Sequence, residues 1–316
     1  MNQRITLRCG LRTELSGIAF VRESMKLLAR AFLYRRQTAR WLQFLNSHPF
    51  FREMLPFCPR LVNKIYRSYF STRLDCQDRL SMLQTHYNTI IRRQLTPLVT
   101  RAAHGPVELC RLDGRSGRKY RITLRAAGVL CREGELILQL GLGDDVLYSI
   151  AFSFLRHLDG IAIGVGCLQG RHGGGSLDHV RDATRELHGM RPKNLLVRLV
   201  RQFGYDYGCT QMILVGNHNR VSTTSMKQGK VHADYDALWI ELGASRLPSG
   251  DFCLTCEDLI KPRMAEIASK KRSEARKRHE MLVDAITAMR TKMGPVEAEL
   301  VLSTYRIEET SFKKRS

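Results

Sequence analysis

Strand-length apolar runs, each bounded by turn signals, dominate the middle of this 316-residue chain. Four such runs follow one another, at residues 119–124, 135–140, 146–155 and 161–168. In the second run Leu136, Leu138 and Leu140 would share one face, because side chains alternate along a strand. Turns rich in glycine and aspartate separate the runs. The pattern predicts an antiparallel meander of about four strands at the centre of the fold.

A helical region and a further strand come next. The glycine-rich turn at 170–175 leads to Ser176, a good N-cap for a helix over 177–187. Pro192 fits the first turn of a second helix over 193–207. Later segments are predicted as a strand at 210–215, a short ordered stretch at 234–242, a strand at 251–256, a long charged helix at 263–292 and a shorter helix at 295–305.

The N-terminal third has a helical pattern instead. Residues 20–46 are predicted as one basic amphipathic helix, with an apolar stripe formed by Val21, Met25, Leu28, Phe32, Ala39, Leu42 and Leu45. Basic residues lie largely off that stripe, at Arg22, Lys26, Arg30, Arg36 and Arg40. Such a helix would either lie on an anionic membrane surface or pack on the protein with a solvated basic face. Residues 60–95 are predicted to be helical again.

These patterns predict an α+β fold in three segments. Residues 1–100 would form a basic helical N-terminal subdomain and residues 101–260 an α+β core. Residues 261–316 would form a charged C-terminal helical segment. The core would hold a mixed or antiparallel sheet, and the C-terminal segment one long helix.

The net charge of +21 indicates an anionic partner. Residues 1–100 carry 17 basic and 5 acidic residues, so this third holds more than half of the surplus. With 43% hydrophobic residues the chain is not a disordered polycation. Candidate partners are an acidic lipid surface, RNA or a phosphate-bearing ligand, bound through the N-terminal region.

Nine scattered cysteines favour reduced thiols over a disulfide framework. Cys253 and Cys256 form a CxxC pair, but a zinc ribbon would need a second pair. The pair therefore indicates the end of a strand, with metal or redox use as the alternative. No HExxH, P-loop, GxGxxG or GxSxG motif is present, so we predict no metal site and can assign no catalytic residue.

The sequence has no secretory signal and no apolar run of 18 residues. We expect a cytoplasmic protein without a transmembrane segment, whose membrane contact would be peripheral, at the inner membrane.

A phosphate-binding pocket is predicted around the helix that begins near Pro192. Helix N-termini favour anions, and basic side chains would add to this effect. The candidate residues are Gln169, Gly170, His188, Arg191, Lys193 and Asn217. The alternative is a surface turn with ordinary capping residues.

A second polar cluster is predicted at Asp234, Tyr235, Asp236, Trp239 and Glu241. Its three carboxylates near two aromatic rings would supply a general base or a cation site. The alternative places Trp239 in the core and makes Asp234 a helix cap.

A basic block near residue 272 is the last candidate. Lys271, Arg272 and Arg276 would contact phosphates or acidic lipids. A solvated, salt-bridged helix face is the alternative, since the same helix carries acidic residues. Because no known reader motif for nucleic acid is present, sequence-specific DNA binding is disfavoured, and RNA binding stays open.

Several blocks of the sequence, taken in order, resemble the VirK/YbjX family of enteric bacteria. They are His48-Pro49, His86-Tyr87, the strand at 117–124, Tyr148 to Phe154, Ile163 to Gly170, His188 to Lys193, Asp234 to Trp239 and Lys271 to Arg278. The resemblance implies a virulence-associated accessory role. That role is support for production of the outer-membrane protein VirG (IcsA) in intracellular spreading, envelope resistance to cationic antimicrobial peptides, or both. Envelope-assembly components are implied partners, and no reaction or cofactor is implied.

The strand, helix and strand between residues 161 and 215 also resemble the core of GNAT acyltransferases. That resemblance implies an acyl-CoA site at the helix N-terminus, although Arg171-His172-Gly173-Gly174-Gly175-Ser176 matches the family's [RQ]xxGx[GA] motif only approximately. Three functions therefore stay open. They are a non-enzymatic accessory protein, an acyl-CoA-dependent acyltransferase acting on an envelope component or a protein, and an RNA-binding post-transcriptional regulator.

Overall fold

The computed structural model describes residues 4–11, 16–126, 128, 130–170, 176–221, 234–261 and 272–294. Its α-helices are α1 (Gly17–Leu33), α2 (Arg35–Leu45), α3 (Phe50–Met54), α4 (Cys76–Arg92), α5 (Thr96–His104), α6 (Ser176–Glu186), α7 (Pro192–Asp206), α8 (Tyr235–Glu241) and α9 (Arg272–Met293). Its strands are β1 (Val107–Asp113), β2 (Lys119–Ala126), β3 (Leu136–Leu142), β4 (Asp145–His157), β5 (Gly160–Gly170), β6 (Gln211–Leu214), β7 (Ser245–Arg246) and β8 (Phe252–Thr255).

The eight strands described form one mixed sheet in the order β1-β2-β3-β4-β5-β6-β8-β7. Strands β1 to β5 pair antiparallel in sequence, as the predicted meander requires, with β1 added before the four predicted strands. Strand β6 then pairs parallel with β5, after the crossover through α6 and α7. The fold is α+β, and the predicted strand–helix–strand core is confirmed.

The helices and the sheet share one hydrophobic core. Helices α4 and α7 both pack on β4, where the Phe154 ring contacts His86 of α4 and Phe203 of α7. The helix caps follow the sequence. Asp75 and Asp78 form a capping box at α4, and Pro192 occupies the first turn of α7.

Two N-terminal expectations need correction. The single helix predicted over residues 20–46 is two helices, because Tyr34 leaves helical geometry with φ −109° and ψ 39° between α1 and α2. The helix predicted over 60–95 begins only at Cys76. Before it lie the short 3₁₀ helices Pro59–Leu61 and Lys64–Tyr66. Phe70 then has a left-handed φ of 59°, which a right-handed α-helix cannot include.

Several predicted elements lie outside the described residues. They are the turn at 171–175, the first part of the C-terminal helix through residue 271 and the helix at 295–305. The three-segment domain division stays a prediction.

Candidate functional site

The parallel pair β5–β6 opens after a short stretch of pairing. Strand β6 pairs with Ile163 to Val165 of β5, and Val215 donates one more hydrogen bond to the Val165 carbonyl at 3.0 Å. Strand β5 continues to Gly170, paired with β4 on its other side. The main chain of β5 beyond Val165 therefore needs other hydrogen-bond partners on the β6 side.

Tyr235 of α8 supplies those partners. Its hydroxyl accepts a hydrogen bond from the Leu168 amide and donates one to the Leu168 carbonyl, each at 2.7 Å. The ring is buried, and burial raises the pKa of the Tyr235 hydroxyl well above its usual value. The phenol is therefore neutral and fills the opening between β5 and β6.

A buried arginine stacks on the Tyr235 ring. The guanidinium carbon of Arg220 lies 3.7 Å from the centre of the Tyr235 ring, and Arg220 is only 3% exposed. A cation stacked on a desolvated aromatic ring is a specific, stabilising contact. Nothing in the local sequence distinguishes Arg220 from the many exposed arginines, so its role could not be predicted.

The predicted carboxylate cluster is used to hold α8. Asp234 accepts a hydrogen bond from the Ala237 amide at 3.1 Å and one from the Asn217 side chain at 2.7 Å. These two contacts, in that order, lower the pKa of Asp234. The side-chain oxygen of Asn217 in turn accepts a hydrogen bond from the main-chain amide of Tyr235. The main-chain amide of Asn217 donates a hydrogen bond to Asp236 at 2.7 Å.

The capping interpretation of this segment is confirmed. Asp234 is the N-cap of α8, and Trp239 is fully buried with its indole nitrogen donating to the Val215 carbonyl at 3.0 Å. The side chains of Asp234 and Asp236 bind this loop, so the arrangement positions Tyr235, and a general base or cation site in this cluster stays a prediction.

Arg191 and Lys193 meet at the start of α7, as predicted. Both approach the carboxylate of Glu241, at 2.7 Å and 3.5 Å, and Arg191 is exposed. His188 lies in the turn before α7 with a left-handed φ of 52°. Of the residues predicted around a phosphate, Arg191 and Lys193 therefore lie on Glu241, whereas the side chain of Asn217 binds Asp234.

Gln169 and Gly170 lie at the end of β5, opposite Ser149 and Tyr148 of β4. A Cβ added at Gly170 would lie 2.9 Å from the Tyr148 ring, so a larger residue at this position would have to displace that ring. Convergence of Gln169, Arg191 and Lys193 on one phosphate stays a prediction.

A buried ionic cluster that no sequence pattern indicates is centred on Glu135, just before β3. Its carboxylate pairs with the Lys64 ammonium and accepts a hydrogen bond from the Tyr87 hydroxyl. The side chains of Lys64 and Glu135 are only 12% and 4% exposed. Burial opposes ionisation of Glu135, but Lys64 above all offsets it, and the pKa of Glu135 lies below its usual value.

His86 lies beside this cluster. Its Nδ1 accepts a hydrogen bond from the Phe154 amide at 3.1 Å, so Nε2 carries the proton of the neutral ring. Nε2 is buried and has no hydrogen-bond partner within the described part of the chain. Burial lowers the pKa of His86 to about 4, so the ring is neutral at physiological pH.

The cysteines are free and mostly desolvated. Burial raises the pKa of Cys58 and Cys256 to about 12 and that of Cys167 to about 11. These thiols are therefore protonated at neutral pH, which makes them poor nucleophiles. Cys253 lies in β8 and Cys256 directly after it, as the strand-end interpretation expects.

The predicted cationic surface lies on α1 and α2. Arg22, Lys26, Arg30, Arg36 and Arg40 are all exposed. Lys26 is 3.8 Å from Glu23 of its own helix. Farther along the chain, Arg272 and Arg276 are exposed on α9, whereas Lys271 lies outside the described residues.

The apolar stripe predicted for α1 is also exposed. Val21, Met25, Leu28 and Phe32 have exposed fractions from 55% to 80%, and Ile18, which the structure adds to this face one turn earlier, is 88% exposed. Helix α1 packs on the protein through other residues, Leu27 and Ala31, which are buried. Residues of the predicted stripe are buried only in α2, at Leu45, with Leu42 half-buried.

No described helix is long and apolar enough to span a bilayer. Within the described ranges, no group of three or more histidine, cysteine or carboxylate side chains is arranged to hold a metal ion.

Comparison with known proteins gives a family match over most of the chain. The model of the family described as "Protein of unknown function (DUF535)" matches residues 18–291. The uncharacterized protein YbjX of Escherichia coli is 27% identical over 266 residues, covering 83% of this chain and 80% of that protein. An uncharacterized protein of Haemophilus influenzae is 24% identical over 275 residues, covering 84% and 87%.

Among solved structures, a cAMP-binding acyltransferase from Mycobacterium smegmatis aligns with a TM-score of 0.30 and 11% identity. The alignment covers 63% of this chain and 61% of that one.

Proposed function

Since the chain belongs to the DUF535 family, the family of YbjX, we propose that it is an accessory protein that docks on an anionic partner through α1 and α2. In this proposal it acts from the cytoplasm at the inner face of the envelope. The biological output is the one that the family resemblance implies: production of VirG, resistance to cationic peptides, or both.

The exposed cations of α1 and α2 carry the proposal. Five basic side chains project from two consecutive helices, and only Lys26 has a carboxylate within ion-pair distance among the described residues. Clustered cations raise the local concentration of an anionic partner and steer its approach. Elsewhere on the surface several basic residues are paired with acids, as Arg181 is with Asp178 and Arg185 with Asp182.

A salt-titrated binding assay tests this function. The full chain is titrated against a fluorescent single-stranded RNA and against vesicles of phosphatidylglycerol and phosphatidylcholine in equal parts. The test variant replaces Arg22, Arg30 and Arg36 with Gln, and the control variant replaces the exposed Arg115, Arg118 and Arg156 with Gln. Both variants lose three positive charges.

We expect at least one of the two probes to bind, with affinity that falls as salt rises. Each cation near an anionic surface contributes about 1 kcal/mol, so the test variant should bind roughly 100-fold more weakly. The control variant should lose much less. Equal losses in the two variants, or no binding of either probe at low salt, would reject the docking surface.

A second candidate, acyl-CoA-dependent acyl transfer, is supported by the opening of the β5–β6 pair beyond Val165. A ligand there would compete with Tyr235 for the Leu168 main chain. A thermal shift with acetyl-CoA or a long-chain acyl-CoA that is lost in a variant with Arg191 and Lys193 replaced by Gln would support this function. The absence of a shift with either acyl-CoA would argue against it.

A further inference from the structure

Helix α1 carries an apolar stripe that the other described residues leave uncovered. Ile18, Val21, Met25, Leu28 and Phe32 follow spacings of 3, 4, 3 and 4 residues, so they share one face. The stripe runs about 21 Å along the helix, at 1.5 Å per residue. Isolated exposed apolar side chains are common, but a contiguous row of five is typical of an interaction surface.

The cations of α1 lie along one edge of this stripe. Successive residues of an α-helix are rotated by about 100° around its axis. Viewed along the axis with Ile18 as the reference, Arg22, Lys26 and Arg30 project at angles of about 40° to 120° to one side of Ile18. The other four residues of the stripe project to the other side of Ile18. The buried residues Leu27 and Ala31 face away from both groups. The solvent side of α1 therefore divides into an apolar band and a band that holds the three cations (the basic band), with the exposed Leu33 at the C-terminal end of the second band.

We infer that this face of α1 lies in the plane of an anionic lipid bilayer, with the apolar stripe in the acyl-chain boundary and the basic band among the headgroups. The inference rests on the proposed docking function and names its partner. Apolar and basic bands side by side on one helix are the arrangement of interfacial amphipathic helices. The burial of the stripe and the charge attraction would then act together.

The other occupants fit less well. An RNA backbone would satisfy the basic band but would leave five large apolar side chains in water. A second copy of the chain would cover the stripe but would bring two basic bands together, in a protein whose net charge is +21. Only a surface that is both anionic and apolar within a few ångströms satisfies both bands.

Vesicle flotation with full-length protein tests the inference. Vesicles of phosphatidylglycerol and phosphatidylcholine in equal parts are compared with phosphatidylcholine alone. The stripe variant replaces Met25 and Phe32 with Gln. A matched control replaces Leu158 and Ile240, which are 80% and 64% exposed outside α1, with Gln. All four side chains are solvent-exposed, so none of these changes should unfold the protein.

We expect the stripe variant to bind anionic vesicles at least about tenfold more weakly, because burying one such side chain is worth more than a tenfold change in affinity. The control should bind as the native protein does. In a Phe32→Trp variant, anionic vesicles should shift the emission of the new indole to the blue, and RNA should leave it unchanged.

The outcomes separate this inference from the docking function. Loss of RNA binding in the arginine variant, with no vesicle binding by the native protein, would overturn the bilayer assignment and leave anionic docking intact. Failure of both probes would reject both proposals. Equal vesicle binding by the stripe variant, or a dimer in sedimentation that only the stripe variant abolishes, would also overturn the bilayer assignment.

Discussion

The hydroxyl of Tyr235 lies 2.7 Å from both the amide nitrogen and the carbonyl oxygen of Leu168. One side chain thus replaces two main-chain hydrogen bonds that a neighbouring strand would make. Asn217 and Asp234 fix the start of α8, which keeps the Tyr235 ring in place. Tyr235, one of the residues of the predicted polar cluster, therefore completes the sheet at the point where β5 and β6 separate.

The Tyr235→Phe variant should lose stability. Both the Leu168 amide and its carbonyl would stay buried without their partner, which costs about 1–3 kcal/mol. The measurement is urea unfolding, with Tyr205→Phe as control because Tyr205 is 43% exposed. An unfolding free energy within experimental error of the native value would show that the hydroxyl is not needed at this opening.

Protonation of His86 should destabilise the fold in mild acid. The pKa of His86 is about 4 in the folded protein and near 6.5 in the unfolded chain. Between these values the unfolded state binds more protons, so stability falls as the pH drops from 6.5 to 4 and this contribution levels off below 4. The shift corresponds to about 3 kcal/mol.

The His86→Gln variant isolates this effect, since glutamine can still accept from the Phe154 amide. Its unfolding free energy should depend less steeply on pH between 6.5 and 4 than that of the native protein. A His218→Gln variant, altered at an exposed histidine, should keep the native slope. If the His86 variant keeps that slope as well, the acid sensitivity arises from other groups.

The antiparallel order of β2 to β5 could be predicted because each of these strands carries its own signal. Strand β2 alternates between buried and outward-facing residues along its whole length, and the turn residues mark where the chain reverses. Strand β1 was missed because Glu108 and Arg111 interrupt its apolar pattern. The sequence predicted a strand at 210–215 after two helices, an order that allows a parallel neighbour, but it indicated no partner for that strand; the structure pairs it with β5.

Helix α1 shows what periodicity leaves open. Its spacing predicts an apolar stripe, but spacing alone does not say whether the protein or another partner covers that stripe. The chain leaves helical geometry at Tyr34 between α1 and α2, and the stripe is exposed along α1 and becomes covered only toward the end of α2, where Leu42 is half-buried and Leu45 is buried. The Glu135 cluster was beyond prediction for another reason. Lys64 and Tyr87 are 71 and 48 residues distant in the chain, and only the folded topology brings them together.

Replacing Glu241 with Gln should have little effect on stability. Its ion pairs with Arg191 and Lys193 lie at the surface, where such pairs are worth about 0–1 kcal/mol. Thermal unfolding in low and high salt is the measurement, and the small difference should shrink further in high salt. A loss above about 2 kcal/mol would mean that this carboxylate has a structural role beyond these two contacts.

Replacing Lys64 with Met should be strongly destabilising, because it leaves the buried Glu135 carboxylate without its counter-ion. Breaking a buried pair from one side costs about 3–5 kcal/mol. Lys119→Met is the matched control. Its partner Asp113 is exposed, so we expect a loss of at most about 1 kcal/mol.

The pH dependence of Lys64→Met gives a second readout. Without the ammonium, burial should raise the folded-state pKa of Glu135 above its unfolded value. Stability of the variant relative to the native protein should then increase as the pH falls from 8 toward 5, since protonation removes the unpaired charge. Adding Glu135→Gln to Lys64→Met should recover part of the loss at neutral pH. A double variant that is no more stable than Lys64→Met alone would show that packing of the Lys64 side chain, and not its charge, stabilises this part of the fold.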